Sequence, residues 1–251
     1  MASWDPSLDL GSGVLLNRLG ITDRVLLSQA EADLATNALA ELARTPLPGR
    51  YDLAHLQAVH RFVFGDLYPW AGELRTVTLG KGGQMFCPPA EIVPHAGQVF
   101  LALAARDHLQ GLVRAHFLDG LAELLAALTY LHPFREGNGR AQRALLGQLA
   151  REAGYKLDWS LLDGAENVFA SRAAADGDLK PLRAMLDRLT TSPYRAPYRR
   201  RSAGLLLPGR VGPLFVDPFP IPRPDAEGGV VGVGGQGRHP DPRVAPQPRW
   251  P

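Results

Sequence analysis

The sequence predicts an all-α bundle carrying one β-hairpin, followed by a disordered Pro/Gly/Arg-rich C-terminal tail, and three observations predict it. Phe117 to Leu131 is apolar almost all round, as expected of a helix in the middle of a bundle rather than on its surface. Leu74-Arg-Thr-Val-Thr-Leu79 alternates and holds two Thr and a Val. With Gly80-Lys-Gly-Gly83 as the turn and Gln84-Met-Phe-Cys87 as the return, it reads as a hairpin. From residue 193 onward, thirteen Pro and nine Gly fall among 59 residues without periodicity, a composition that does not build a core. Residues 1–192 are therefore expected to form one domain, with its core over about 50–190, and residues 193–251 a low-complexity appendage.

The elements follow in order. Ser28-Gln-Ala-Glu31 has the form of a capping box and opens a helix that runs to about Arg44, where Thr45-Pro-Leu-Pro-Gly49 stops it. Asp52 caps a second helix, whose Leu53, Leu56, Val59 and Val63 repeat at helical spacing until Gly65 and Tyr68-Pro69. After the hairpin, Pro88-Pro89 opens a helix through Ile92, Val99 and Leu103. The central helix ends at His132-Pro133, because proline has no N–H with which to continue it. The next helix starts near Asn138 or Gly139 and runs to Ala153, with Gly154 as the C-terminal glycine. Glu166–Ala175 and Asp178–Leu189 fit two more helices, and no fixed-period repeat is present.

Composition narrows the function classes. At 251 residues and 45% hydrophobic, the chain has ample material for a core. No apolar run approaches the roughly 18 residues of a membrane span. The N-terminus lacks the basic and apolar stretches of a secretory leader, and the single cysteine, Cys87, excludes an internal disulfide. A cytoplasmic protein is expected, delivery to another cell remaining open. The net charge of +2 divides unevenly: residues 193–251 hold nine Arg against four acids, whereas residues 1–192 carry a net −3. Nucleic acid is thus an unlikely partner for the body, and that idea rests only on Arg199-Arg-Arg201. Three origins suit the tail: a flexible appendage, a partner-binding segment, or out-of-frame translation of GC-rich DNA, which also yields Arg, Pro and Gly without Lys.

His132-Pro-Phe-Arg-Glu-Gly-Asn-Gly-Arg140-Ala-Gln-Arg143 concentrates the chemistry. Gly137 and Gly139 let the chain around Asn138 curl until consecutive amides converge on one anion, at the positive end of the following helix. Arg140 and Arg143, three apart, project from nearly one face and present planar forks of donors to phosphate oxygens. Glu136 is an oxygen ligand of the kind Mg²⁺ takes together with substrate phosphates. His132, with a reference pKa of about 6.5, is able to accept a proton. Singly, each has a duller reading: a His after a helix is most often a cap, Glu-Gly-Asn-Gly a turn, two Arg a solvated face, and Phe134 a core anchor. Those readings must hold independently, whereas a metal-bound polyphosphate site explains them together.

These residues match, at every fixed position, the signature His-x-Phe-x-(Asp/Glu)-Gly-Asn-Gly-Arg-x-x-Arg, and the chain is identified as a member of the Fic family by resemblance. Phe64-Gly-Asp-Leu-Tyr-Pro-Trp-Ala-Gly-Glu-Leu-Arg-Thr-Val and Lys81-Gly-Gly resemble the segment leading into the family's flap hairpin. Glu166-Asn167 and Gly177-Asp-Leu-Lys-Pro-Leu resemble its closing helices, so roughly residues 8 to 190 are covered. The resemblance implies a Fic-fold helical bundle and a protein adenylyltransferase that moves AMP from ATP to a Ser, Thr or Tyr hydroxyl of a target protein. It implies His132 as base, Glu136 as Mg²⁺ ligand, and Gly137, Asn138 and Gly139 as the anion hole. Arg140 and Arg143 would hold the β- and γ-phosphates, and Asn167 would face the nucleoside. Thr76, Val77, Thr78, Lys81, Gly82 and Gly83 would be the flap that docks the target.

Many members carry an inhibitory (Ser/Thr)-x-x-x-Glu-(Gly/Asn) helix. Here Glu136-Gly137, Glu166-Asn167 and Glu227-Gly228 have His132, Leu162 and Arg223 four residues before them, so that motif is absent. A toxin-like enzyme held in check in trans, by a small antitoxin-like partner supplying a Glu to Arg143, is the expectation. The alternatives are a Fic variant transferring another phosphate-containing group, and a non-catalytic nucleotide-binding interaction protein.

Overall fold

Helix α4 (Arg114–Leu131) is the axis of the fold, and its sequence explains why. Phe117, Leu118, Leu121, Leu124, Leu125, Leu128 and Leu131 are all buried, and beyond the first turn Asp119 and Glu123, each paired with an arginine, are its only charged side chains. Around it pack α3 (Ile92–Ala105), α5 (Asn138–Glu152), α6 (Gly164–Ala175) and α7 (Lys180–Leu189). Helices α1 (Arg24–Arg44) and α2 (Leu53–Phe64) lie against each other and against α5. The computed structural model describes residues 5–191; the expectations for the 193–251 tail, including Arg199–Arg201 and Glu227, lie outside the described residues. No helix among the described residues is long and apolar enough to cross a membrane.

Helix α2 starts where Asp52 caps the His55 amide at 2.8 Å, and Gly65 ends it. Gly154, in the left-handed region at φ 89°, follows α5, and the Tyr155 amide reaches back to the Ala150 carbonyl. Asp163 and Asp178 accept from the amides of Glu166 and Lys180, setting the starts of α6 and α7.

Three details depart from the sequence expectations. Helix α1 begins at Arg24 rather than Ser28, because the Asp23 carboxylate accepts from both the Val25 and Leu26 amides. Ser28 is thereby placed inside the helix and Glu31 is released from capping. The hairpin is shorter and shifted: the ladder joins only β1 (Gly80–Lys81) and β2 (Gln84–Met85), pairing Gly80 with Met85 and Lys81 with Gln84. Leu74–Leu79 alternates as expected, with Val77 buried and Thr76 and Thr78 exposed, yet it stays outside the ladder and meets the returning limb through the Leu79 carbonyl, which accepts from the Phe86 amide at 3.0 Å. A second strand pair, β3 (Lys156–Leu157) with β4 (Thr190–Thr191), ties the end of α7 to the segment after α5. Two-residue strands leave no hydrophobic alternation by which to read them.

Candidate active site

The segment 132–143 bridges the C-terminus of α4 and the N-terminus of α5. His132 closes α4 in the left-handed region (φ 40°, ψ 57°), its N–H donating to the Leu128 carbonyl at 3.0 Å. Pro133 bars the preceding residue from the helical region, and strain of this kind in a non-glycine residue persists only where surroundings enforce it. Arg75 supplies much of the enforcement. Its Nε donates to the His132 carbonyl (2.7 Å), Nη1 to Val77 (2.8 Å) and Nη2 to Cys87, while its amide donates to the Pro133 carbonyl (2.9 Å). Arg75 is only 5% exposed, and every one of those partners is a carbonyl oxygen, two of them at or just past the negative end of α4. Arg75 thus fastens the flap stem to the residue that carries the imidazole.

The turn itself is closed by Asn138, whose Oδ1 accepts from the Phe134 amide (2.9 Å) and whose Nδ2 donates to the Phe134 carbonyl (2.8 Å). With both ends of its side-chain amide used and only 3% exposure, Asn138 contributes its backbone, not its side chain, to the anion-facing surface. Gly137 adopts φ 77°, and a β-carbon there would stand 2.4 Å from the Phe64 ring, so glycine is required on both counts. His60, fully buried on α2, stacks on Phe134 with ring centroids 3.8 Å apart. The Gly72 amide donates to its Nδ1 (2.9 Å), which leaves Nε2–H to donate to the Glu136 carbonyl (2.9 Å). Burial, then the Arg140 and Arg61 charges, push His60 down to about 4 against the Glu136 carbonyl's pull, so it is neutral at pH 7.

The electrostatics divide sharply along the segment. Burial first, then the charges of Arg75 and Lys81, depress His132 to about 4, while the Thr129 carbonyl one turn back opposes the shift. Its Nδ1 is buried without a hydrogen-bond partner. The ring lies flat against Phe86, with centroids 3.7 Å apart and planes 5° apart. At the other end, Arg143 is half-buried, its pKa lowered by burial and by Arg140, and no carboxylate pairs with it among the described residues. Arg140 is held over the Phe64 ring at 4.8 Å, pairs with Glu31 of α1, and lies 3.8 Å from Glu136. Glu136 is half-exposed, with Oε1 accepting from the Gly137 amide at 2.9 Å. The amides of Asn138 and Gly139, at the start of α5, have no acceptor within the helix.

Among the described residues no group of three or more His, Cys, Asp or Glu could cage a metal alone. One half-exposed carboxylate beside an amide nest fits Mg²⁺, which takes one or two carboxylates and completes its shell with phosphate and water.

The flap turn is Gly82-Gly83, both at positive φ (59° and 85°), as a two-residue type I′ turn requires. Lys81, Gly82 and Gly83 form its tip, which meets α6 through Gln84 Nε2 on the Arg172 carbonyl at 3.5 Å. Thr76 and Thr78, on the limb above Val77, make no main-chain hydrogen bond among the described residues. Asn167 is half-buried on α6, in its first turn, where its amide donates to the Asp163 carbonyl.

Sequence reasoning missed Glu31, His60, Tyr68, Arg75 and Phe86. Only His60 left a signal, a polar residue on the buried stripe of α2. The capping-box pattern directed Glu31 to a different role.

A family model described as the Fic/DOC family matches residues 50–150. The chain is 41% identical over 187 residues to a probable protein adenylyltransferase, y4lH, of Sinorhizobium fredii, covering 74% of this chain and 95% of that one. It is 38% identical to the protein adenylyltransferase VbhT of Bartonella schoenbuchensis over 74% of this chain, but spans only 39% of VbhT. The BepC protein of Bartonella tribocorum, crystallised with bound AMPPNP, shares the fold with a TM-score of 0.70 and 26% identity, over 74% of this chain and 96% of that one. With 41% identity across nearly the whole of one relative and the motif assembled at a single helix junction, the chain belongs to the Fic/DOC family.

Proposed function

We propose that this enzyme transfers AMP from ATP to a Ser, Thr or Tyr hydroxyl of a target protein, with residues 1–192 as the catalytic unit. The observation that carries the reading is the juxtaposition, across one short turn, of a neutral imidazole and two adjacent guanidiniums at a helix N-terminus. The relatives' names and the AMPPNP in BepC support adenylyl transfer over other uses of the same geometry.

The hydroxyl oxygen attacks the α-phosphorus of ATP as His132 takes its proton; the bond to the bridging oxygen breaks and pyrophosphate leaves in line. A neutral imidazole keeps a proton on one ring nitrogen and leaves the other free to accept that of the hydroxyl. The Asn138 and Gly139 amides, with the α5 dipole, stabilise charge on the phosphates, while Arg140 and Arg143 hold the β- and γ-phosphates. Glu136 would hold Mg²⁺, a cation that would supply charge neutralisation for the departing pyrophosphate. The unpaired limb Thr76–Thr78 and the Lys81-Gly82-Gly83 tip align the target main chain by strand addition, a mode tolerant of target sequence. Arg143, with no carboxylate of its own among the described residues, is the point at which a small antitoxin-like partner would restrain a toxin-like enzyme in the cytoplasm.

The test is incubation of the full chain with a cell lysate, Mg²⁺ and ATP labelled at the α-phosphate. Labelled protein carrying one AMP, lost with His132→Ala by the roughly 10²–10⁴-fold that a general base contributes, is expected. AMPPNP binding with no modification of any protein would overturn the reading.

A further inference from the structure

Helix α1 sends one charged side chain into this region, and it comes from far away in the chain. Glu31 Oε1 accepts from Arg140 Nη2, and Oε2 accepts from the Tyr68 hydroxyl. Both oxygens are therefore committed, and the side chains are mostly covered, Glu31 at 13% and Arg140 at 25% exposure. Tyr68 is 1% exposed; burial, and after it the bond to and charge of Glu31, push its pKa up, so it remains a donor at all working pH. On its remaining sides the Arg140 guanidinium faces the Phe64 ring and the Glu136 carboxylate.

Such a partly buried pair is poor at stabilising a fold, because desolvating the charges offsets most of their attraction. What it does well is orientation. A planar guanidinium fixed at one nitrogen and stacked on a ring has little freedom left, and its other donors keep a set direction. The bond to Glu31 engages Nη2, leaving Nε and Nη1 for other acceptors.

We propose that Glu31, braced by Tyr68, is a positioning residue that presents Arg140 to the polyphosphate. This rests on the reading of the 132–143 segment as an ATP site. A brake is the opposite idea: a carboxylate that must leave before phosphate enters. The geometry disfavours it, since Tyr68 holds Glu31 in place and phosphate does not need the nitrogen that Glu31 occupies.

Two measurements on the full chain decide it: the initial rate of label transfer from α-labelled ATP to lysate protein at saturating ATP, and AMPPNP affinity with Mg²⁺. Glu31→Gln keeps the shape and removes the charge. It should slow transfer by about 10–100-fold, the range for a misplaced group at the reacting centre, and weaken AMPPNP in the same direction, because Arg140 holds the β- and γ-phosphates. Tyr68→Phe should act in the same direction and more weakly. In an Arg140→Ala background, Glu31→Gln should add nothing, because its effect passes through that guanidinium. Unchanged or faster transfer by Glu31→Gln overturns the proposal, and so does an effect of undiminished size in the Arg140→Ala background. A wild-type chain that transfers no label overturns the underlying functional reading, and this inference with it.

Discussion

At the scale of single residues, the geometry around the imidazole is set by a guanidinium that touches neither proposed substrate. Arg75 engages the carbonyls of His132, Val77 and Cys87 at once, which a planar fork with five donors permits and a single ammonium does not. Arg75→Lys keeps the charge and loses the span. The His132 carbonyl would then lose its anchor, and the left-handed backbone at φ 40° would relax toward the ordinary regions. Transfer should fall about 10–100-fold, as expected when a catalytic group drifts by an ångström, while AMPPNP affinity holds because the phosphate ligands sit on α5. An affinity that falls in step with the rate would show that Arg75 supports the whole junction rather than the base.

At the scale of elements, the flap shows what a sequence pattern reports and what it omits. The alternation over Leu74–Leu79 was legible because it tracks burial: Val77 faces inward, Thr76 and Thr78 outward. The ladder was not, since pairing depends on where partner backbone lies. The Arg75 and Cys87 amides instead reach the Pro133 and Tyr130 carbonyls at the end of α4. Hence the strands shrink to two residues each about Gly82-Gly83. A β-carbon on Gly83 would meet nothing within 4 Å, so a substitution there acts through conformation alone. At φ 85°, Gly83→Val is expected to cost the turn about 1–2 kcal/mol, and Gly83→Asn less. If the flap docks the target, Gly83→Val should lower labelling of lysate protein and leave AMPPNP affinity intact; equal labelling by both chains would remove the flap from target docking.

At the scale of the whole molecule, helices were legible from the chain because apolar spacing records which face is covered, and the 132–143 residues come together because they are neighbours in sequence. Glu31, His60, Arg75 and Phe86 were not, since each reaches the junction only through the packing of α1, α2 and the flap onto α4 and α5. That packing has a consequence for acid stability. His60 and His132 both sit at about 4 in the folded chain against about 6.5 for an ordinary histidine, and burial is the largest cause in each. Above pH 6.5 neither state binds the protons, and stability is independent of these groups. As pH falls from 6.5 toward 4, the unfolded chain takes up protons that the native chain refuses, so stability is lost through that window; below 4 the loss levels off. At pH 5 the loss is about 2 kcal/mol per histidine, a large share of the roughly 5–15 kcal/mol typical of a domain. The exposed carboxylates with lowered pKa, Asp9 and Asp158, lose their contribution only at lower pH, so pH 5 isolates the histidines. Denaturant unfolding at pH 7.5 and pH 5 should therefore show a clear drop for the wild type and a smaller drop for His132→Ala, with His60 and the buried His55, whose pKa burial also lowers, accounting for the remainder. Equal stability at the two pH values would mean that neither ring is desolvated in the native fold, and the neutral base invoked for phosphoryl transfer would lose its physical cause.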